Sequence, residues 1–535
     1  MQSAWIDRDA EAAVCRYERL GRDVALRVYT TRLLGQDWRL VLHGGGNTSV
    51  KTTIADLNGE QVEVLCVKGS GWDMGTIEPA GLPAVRLAPL LKLRAREKLS
   101  DEEMVRLQRA NLIDPASPNP SVEALLHAFI PHKFIDHTHS TAVLALSDQP
   151  DGEALCREIF GARVGYVPYL MPGFGLAKAA AQVFDADASV EGLILVKHGI
   201  FSFGADARQA YERMIALVSL AEERLAKKRK PAFTSAKLPA RVANVADVAP
   251  IIRGACSLAD SKTDGAWKRF VLEFRGNDSV MNFVNGTEVA RYGQAGVVTP
   301  DHNIRIKNKP LVVAAPAEGD LAGFKNSVRD AVATYGESYN EYFERNNARV
   351  GGIKTILDPL PRVVLVPGVG LFGLGRSQKD AKIAGDLAEA AIATITDAEA
   401  VGRFEPLPEA DLFDVEYWSL EQAKLGGARE LPLAGQVAVI TGAAGAIGFA
   451  TAKAFAAVGA EVALLDVDEA AAQAKARAIG GAALGIRCDV TDAASVRGAF
   501  AQVAAAFGGL TAGLLRAVME KWAPARRAAA TTSWL

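Results

Sequence analysis

The chain has 535 residues, 49% of them hydrophobic, and a formal net charge of −2 from 60 basic and 62 acidic side chains. That length suits about three domains with ample cores, and the balanced charge offers no footprint for nucleic acid. No apolar run reaches membrane-spanning length, and five scattered cysteines with a charged N-terminus, MQSAWIDRDAEAA, argue against a disulfide framework or signal segment and for a reducing cytoplasm.

In chain order, alternating strands and Ala-rich helices argue for an α/β fold. LVLHGGGNTSVK at 40–51 runs an apolar strand into three glycines, then Asn47, Thr48 and Ser49. CVKGSGWDMG at 66–75 repeats the arrangement with Lys68, Gly69, Ser70 and Gly71. Glycines let backbone N–H groups converge on an anion such as phosphate, although a turn between strands explains either loop equally well. The stretch SVEALLHAFIPHKFIDHTHS, 121–140, then places one carboxylate, Glu123, before a His-x-His pair, His137 and His139. On a strand, residues two apart share a face, so both imidazoles can grip one ion. Neutral imidazole suits Zn²⁺, and a catalytic zinc takes three protein ligands. His198, where the strand GLILVKHGIFSFG meets His-Gly, is the candidate third ligand. The chain has only seven histidines, so two on one strand face do not follow from abundance. His127 and His132 are assigned structural roles. The basic run AKKRKPAF at 226–233 reads as a helix end and linker.

The order of these motifs over residues 20–225 resembles the class II aldolase/adducin family of metal-dependent sugar-phosphate aldolases. The resemblance implies an αβα domain over 1–235. It puts phosphate contacts on Gly46, Asn47, Ser70, Gly71 and Ser121, the catalytic carboxylate on Glu123, and zinc on His137, His139 and His198. Two departures stand out: Val122 occupies the place of a second serine, removing one donor, and the Glu-to-His spacing is shorter. Zinc in this family stabilises the charge that appears on oxygen when the C3–C4 bond of a ketose 1-phosphate breaks, and Glu123 would shuttle the proton on the dihydroxyacetone phosphate carbon. A tyrosine acid would come from a neighbouring subunit of a fourfold ring, so a homo-oligomer, a tetramer, is implied. Tyr166, Tyr169 and Tyr211 are the candidates. Adducin-like members, which lack the metal, supply the alternative of a non-catalytic oligomerising module.

Residues 236–430 carry no self-contained motif and are expected to form a middle α/β domain. VVLVPGVGLFGLGRSQKDAKIAGDLAEAA resembles LILVKHGIFSFGADARQAYERMIALVSLAEE, which suggests an internal duplication with Pro367 or Gly368 in the place of His198. VVTPDHNIRIKNKP supplies Asp301, His302, Arg305 and Lys307, which could reach over the sugar-phosphate site; an ordinary polar loop is the favoured expectation.

From residue 431, LPLAGQVAVITGAAGAIGFATAKAFAAVGAEVALLDVD reads as strand, glycine turn, helix, strand and acid, the layout of a dinucleotide-binding βαβ unit. It resembles the start of a short-chain dehydrogenase. Gly442, Gly445 and Gly448 would shape the pyrophosphate turn, Asp466 would accept from the ribose and favour NAD, and Asp489 and Val490 would lie on the adenine side. No tyrosine follows Tyr417, so that family's Tyr-x-x-x-Lys set is missing from these residues. The Ala- and Arg-rich tail suggests an incomplete Rossmann domain at 431–535 that binds NAD weakly or not at all. The tandem resembles the bifunctional rhamnulose-1-phosphate aldolase and lactaldehyde dehydrogenase type. It implies cleavage of L-rhamnulose 1-phosphate to dihydroxyacetone phosphate and L-lactaldehyde. An NAD-dependent oxidoreductase of aldehydes or sugar alcohols is the rival expectation.

Overall fold

A computed structural model describes residues 1–227, 230–259, 267–425 and 430–514. Part of the basic run at 226–233 and the tail beyond 514 lie outside the described residues. The architecture is α/β, as expected. No helix among the described residues is long and apolar enough to cross a membrane.

Seven strands form the first sheet: β1 (Asn47–Ala55), β2 (Gln61–Val67), β3 (Ala84–Arg86), β4 (Phe134–Thr138), β5 (Val164–Val167), β6 (Gly192–Leu195) and β7 (Gly199–Gly204). Their order is β3-β2-β1-β4-β7-β6-β5, and only β5 and β6 run parallel. Alternate side chains of β6 and β7 enter different apolar clusters. Ile194 and Ile200 pack with helices Thr141–Ser147 and Ala207–Ala226, whereas Leu193, Leu195, Phe201 and Phe203 pack with helices Ala124–Phe129 and Phe174–Ala186. Strand periodicity thus covers both faces with helices and makes an αβα sandwich.

A small ribbon, β8 (Leu258–Ala259) and β9 (Trp267–Lys268), precedes a second sheet of β10 (Val271–Arg275), β11 (Leu311–Val312), β12 (Val363–Val366) and β13 (Gly370–Gly375). Its order, β10-β13-β12-β11, repeats the β4-β7-β6-β5 block of the first sheet, with the same parallel and antiparallel partners. The two hairpins superimpose by register: Leu195 pairs with Gly199, and Val366 with Gly370. Lys197 and Gly368 then both fall at the left-handed turn position, with φ of 58° and 83°. The third turn residue, His198 in one hairpin, is Val369 in the other, and both donate an N–H three residues back. The counterpart of His198 is therefore Val369 and not Pro367 or Gly368; hairpin register decides this where one-dimensional alignment could not. By the same register Phe274 stands where β4 has His137, so this sheet keeps a scaffold without its imidazoles.

The third sheet is wholly parallel, β14 (Val437–Thr441), β15 (Glu461–Asp466), β16 (Leu484–Arg487) and β17 (Ala512–Leu514), in the order β16-β15-β14-β17. Its three crossovers are helical, Ala446–Ala457, Glu469–Ile479 and Ala493–Phe507, the arrangement of one half of a doubly wound sheet. Buried Arg253 ties it to the middle region, donating to the carbonyls of Phe270, Gly435 and Leu510 and to the Thr511 hydroxyl. The first and middle regions share one apolar cluster, in which Leu146, Tyr211 and Met214 meet Leu387, Ile392 and Ile395.

Behind the histidine strand lies a fully buried ion pair, Arg27 Nη2 to Asp136 Oδ1 at 2.5 Å. Arg27 also donates to the carbonyls of Ser49 and Ile135, so one guanidinium spans β1 and β4. Burial lowers the basicity of Arg27 and raises the Asp136 carboxyl against their mutual attraction, as expected when both charges leave water. Arg27→Met, which strands the carboxylate, is expected to destabilise the chain by about 3–5 kcal/mol, measured by urea denaturation followed by circular dichroism.

Candidate functional site

His137 is carried by β4, His139 lies one residue beyond its end, and His198 sits in the β6–β7 turn. The three imidazoles are buried, and their ligand atoms all lie within 4.8 Å of one another. Gly199 makes this convergence possible, since a Cβ there would stand 2.5 Å from the Thr138 carbonyl and 3.0 Å from the His137 ring. Ring tautomers follow from the neighbours. His137 Nδ1 is 3.1 Å from the Ile200 carbonyl, and His139 Nδ1 is 3.0 Å from Asp301 Oδ1. Both partners only accept, so both Nδ1 atoms carry the proton and both Nε2 atoms are bare. Those bare nitrogens face each other at 3.2 Å. Two lone pairs that close repel, and a cation between them removes the repulsion.

Glu123 immediately precedes the helix Ala124–Phe129, with Oε2 3.5 Å from His137 Nε2 and Oε1 3.8 Å from His198 Nε2. Asn47, the first residue of β1, donates from Nδ2 to Glu123 Oε2 at 2.6 Å and to Ser121 Oγ at 3.1 Å. Its carbonyl oxygen therefore accepts from His127 Nε2–H, which leaves His127 Nδ1 to accept from the Ser49 hydroxyl at 2.8 Å. His127 thus has a positioning role: its ring fixes which way the Asn47 amide faces. His132 is structural, stacked on Phe203.

Burial alone would raise the Glu123 carboxyl, but His137, His198, the Asn47 amide and His139 outweigh it and hold it down at about 2. Burial depresses the imidazoles against the pull of Glu123, His137 well below its usual value and His198 to about 4. At neutral pH Glu123 is a carboxylate and His137 and His198 are neutral nitrogen donors, the state that metal ligation requires. Glu123 Oε1 and His198 Nδ1 are buried with no hydrogen-bond partner among the described residues.

Gly46, Asn47, Ser70, Gly71, Ser121 and Glu123 all line one cavity beside His139 and His198. The two glycine loops are therefore a single cradle. A Cβ at Gly46, whose φ is 54°, would lie 2.6 Å from the His137 carbonyl, so the loop packs directly on the histidine strand. The tyrosine candidates do not line the cavity: the Tyr166 hydroxyl donates to the carbonyls of Cys156 and Gly161, and that of Tyr211 accepts from the Ala4 N–H. The Tyr169 hydroxyl is buried without a partner among the described residues.

The middle region closes the cavity with Pro300, Asp301, Val415, Glu421 and Lys424. Asp301 corrects the polar-loop expectation for its segment, because it orients His139. Thr299 donates to the His198 carbonyl at 3.1 Å. Lys307, from the same segment, instead stays with Tyr339 at 2.9 Å. Glu421 and Lys424 were missed; three apart on a short helical segment, they resemble any surface ion pair, and only domain docking brings them here.

In the C-terminal sheet, Gly442 takes a φ of 60° and Gly445 caps helix Ala446–Ala457. A Cβ on Gly448 would meet the Gly442 carbonyl at 2.4 Å, so the turn and helix pack as tightly as a pyrophosphate-binding turn requires. Asp466 ends β15 and accepts from the Ala444 N–H. Asp489 accepts from Thr491, and neighbouring Val490 is exposed.

Comparison with known proteins finds three family matches along the chain. Residues 26–225 match the class II aldolase and adducin N-terminal domain, 243–425 the class II aldolase second domain, and 436–530 the short chain dehydrogenase family. A Bacillus subtilis protein described as uncharacterized oxidoreductase YuxG is 34% identical over 509 residues, covering 92% of this chain and 72% of that protein. D-threitol dehydrogenase of Mycolicibacterium smegmatis is 45% identical over 96 residues, 17% of this chain and 37% of that enzyme. A solved N-terminal class II aldolase domain of a Thermoplasma acidophilum protein is 38% identical, covering 42% of this chain and 99% of its own, with a TM-score of 0.37. The sheet that carries the three histidines lies within the residues matched to the class II aldolase and adducin N-terminal domain. The chain belongs to the class II aldolase family and carries a short-chain dehydrogenase segment on its C-terminal side.

Burial pushes His127 down to about 3, whereas in the unfolded chain it titrates near ~6.5. Between those values the unfolded state binds the extra proton, so stability is full above about pH 6.5 and falls on acidification by about 1.4 kcal/mol per pH unit for this group. Urea denaturation of chelator-treated protein from pH 7 to pH 5 is expected to show a slope about one proton shallower in His127→Gln than in the parent chain.

Proposed function

We propose that the chain is a zinc-dependent lyase that cleaves a ketose 1-phosphate, with L-rhamnulose 1-phosphate giving dihydroxyacetone phosphate and L-lactaldehyde as the specific assignment. The carrying observation is the pair of bare imidazole nitrogens 3.2 Å apart beside an ionised carboxylate. Zinc–nitrogen bonds of about 2.0–2.1 Å in tetrahedral geometry place two ligand nitrogens about 3.3 Å apart, close to the spacing present. His137, His139 and His198 would hold the ion, which when bound would draw off the negative charge that develops on the substrate oxygens.

The chain's own residues supply the rest. Glu123 stands between the imidazoles and the cradle: in synthesis its carboxylate removes a proton from C3 and the aldehyde oxygen takes up a proton as the C3–C4 bond forms, and in cleavage the proton leaving the C4 hydroxyl restores a carboxylic acid at Glu123, which protonates C3 as the C3–C4 electron pair passes to that carbon. Its ionised form suits the removal. Asn47, held by His127, fixes the carboxylate oxygen that does not face the substrate. Gly46, Asn47, Ser70, Gly71 and Ser121 receive the phosphate. This reading places the protein in the cytoplasm as a homo-oligomer.

NAD would bind the C-terminal sheet weakly at Gly442, Gly445, Gly448 and Asp466, with Asp489 and Val490 on the adenine side. The parallel sheet and its glycine turn favour a second reading, an NAD-dependent oxidoreductase, and NAD-dependent oxidation of an aldehyde or sugar alcohol by the purified chain would support it over the first.

The test is cleavage of L-rhamnulose 1-phosphate by the zinc-loaded chain, with dihydroxyacetone phosphate followed through a coupled reductase. Glu123→Ala and EDTA treatment are each expected to lower the rate by about 100-fold or more. A folded, zinc-loaded chain that released no dihydroxyacetone phosphate would exclude this substrate.

A further inference from the structure

The phosphate cradle as the glycine loops build it has no free charge. Its neutral donors are backbone N–H groups, Ser70 and Ser121, since the Asn47 amide is committed to Glu123, Ser121 and His127; Val122, which lines the same cavity, offers no donor where the resemblance implies a second serine. Lys68 also lines the cavity, but its ammonium is committed to the carbonyls of Gly44 and Trp72 at 2.8 and 2.7 Å. Burial brings its basicity down to about 7. It braces the loops and has little charge to spare for a ligand.

Lys424 differs in each respect. It comes from the middle region and lies across the second loop, since a Cβ on Gly71 would stand 3.5 Å from its carbonyl and 3.8 Å from its Cβ. Among the described residues its ammonium donates to Glu421 Oε1, and an ammonium has three donors. Glu421 is 2% exposed, lines the cavity, and keeps Oε2 without a partner among the described residues. Burial works against the Lys424 charge, and Glu421 and Asp301 more than restore it.

We propose that Lys424 is the phosphate clamp of this pocket, a cation that the middle region lays over the glycine loops to supply a charged donor beside the place where Val122 leaves no hydroxyl, with Glu421 as its resting counter-ion. The assignment rests on the phosphorylated-ketose reading above. It gives the middle region a direct part in substrate recognition, and it accounts for a part-buried Lys–Glu pair at the mouth of a cavity, where an ion pair gains little stability from its own desolvation.

Titration calorimetry on the full, metal-loaded chain, with inorganic phosphate, dihydroxyacetone phosphate and unphosphorylated dihydroxyacetone as probes, tests it. Lys424→Met is expected to weaken both phosphorylated probes by about 10- to 100-fold, the range of one charge-assisted hydrogen bond, and to leave dihydroxyacetone unchanged. Lys424→Arg should retain most of the affinity. In the cleavage assay Lys424→Met should raise KM and leave kcat within a few-fold. A thermal melt checks folding, and Lys424→Gln replaces the Met variant if that chain does not fold. Equal phosphate binding by parent and folded variant overturns the clamp while sparing the lyase reading. A loss confined to kcat also overturns it, assigning Lys424 to proton transfer. A parent chain that binds neither phosphorylated probe removes the reading on which the clamp rests, and the clamp with it.

Discussion

Repulsion between two imidazole lone pairs is the constraint around which the first domain is arranged. The Ile200 carbonyl and the Asp301 carboxylate each claim an Nδ1 proton, which leaves two Nε2 atoms bare at 3.2 Å with a buried carboxylate at their side. Holding two bare nitrogens in that position is unfavourable unless a cation shares them, so the surroundings have to be stiff. The sheet is stiff there: β4 is buried along its whole length between β1 and β7, and the Arg27–Asp136 pair bolts it from the far side. Gly199 and Gly46 permit two backbone segments to approach β4 more closely than any side chain would allow.

The middle region is the second shell of this site as well as its lid. Thr299 holds the backbone of His198, Asp301 sets the tautomer of His139, and Asp386 binds His43 at 2.9 Å beside the first glycine loop while also pairing with Arg275. Strand for strand, it repeats part of the sheet it covers, but Phe274 and Val369 stand where that sheet has His137 and His198. One scaffold thus serves two ends: with imidazoles it forms a donor set, and with apolar side chains it forms a packing surface that delivers carboxylates and a lysine to its neighbour. Ligand orientation by such outer contacts is a general requirement of metal sites.

The C-terminal sheet is coupled to this assembly through Arg253, whose guanidinium links the middle region to both ends of the described Rossmann segment. Its glycine turn is formed and Asp466 already bonds the turn backbone. The geometry of the dinucleotide turn is therefore local, set by Gly442 and Gly448 and the parallel strands, and does not depend on the lyase site.

The sequence by itself determined whatever depends on local spacing. A His-x-His pair at the end of a strand, a His-Gly turn, two glycine loops and the βαβ turn are each written within a dozen residues, because strand alternation and glycine dihedrals are properties of adjacent residues. Only the tertiary structure decided which distant groups complete those pieces. Nothing near Asp301, Glu421 or Lys424 distinguishes them from an ordinary loop and a surface pair; they reach the cavity because an apolar cluster docks one domain on another. His127 acquired its positioning role in the same way, through Asn47 and Ser49 on a strand some eighty residues earlier, and Val369 was matched to His198 only by hairpin register. Hydrogen-bond partners far apart in the chain are chosen by packing, and packing leaves no periodic trace in the residues it brings together.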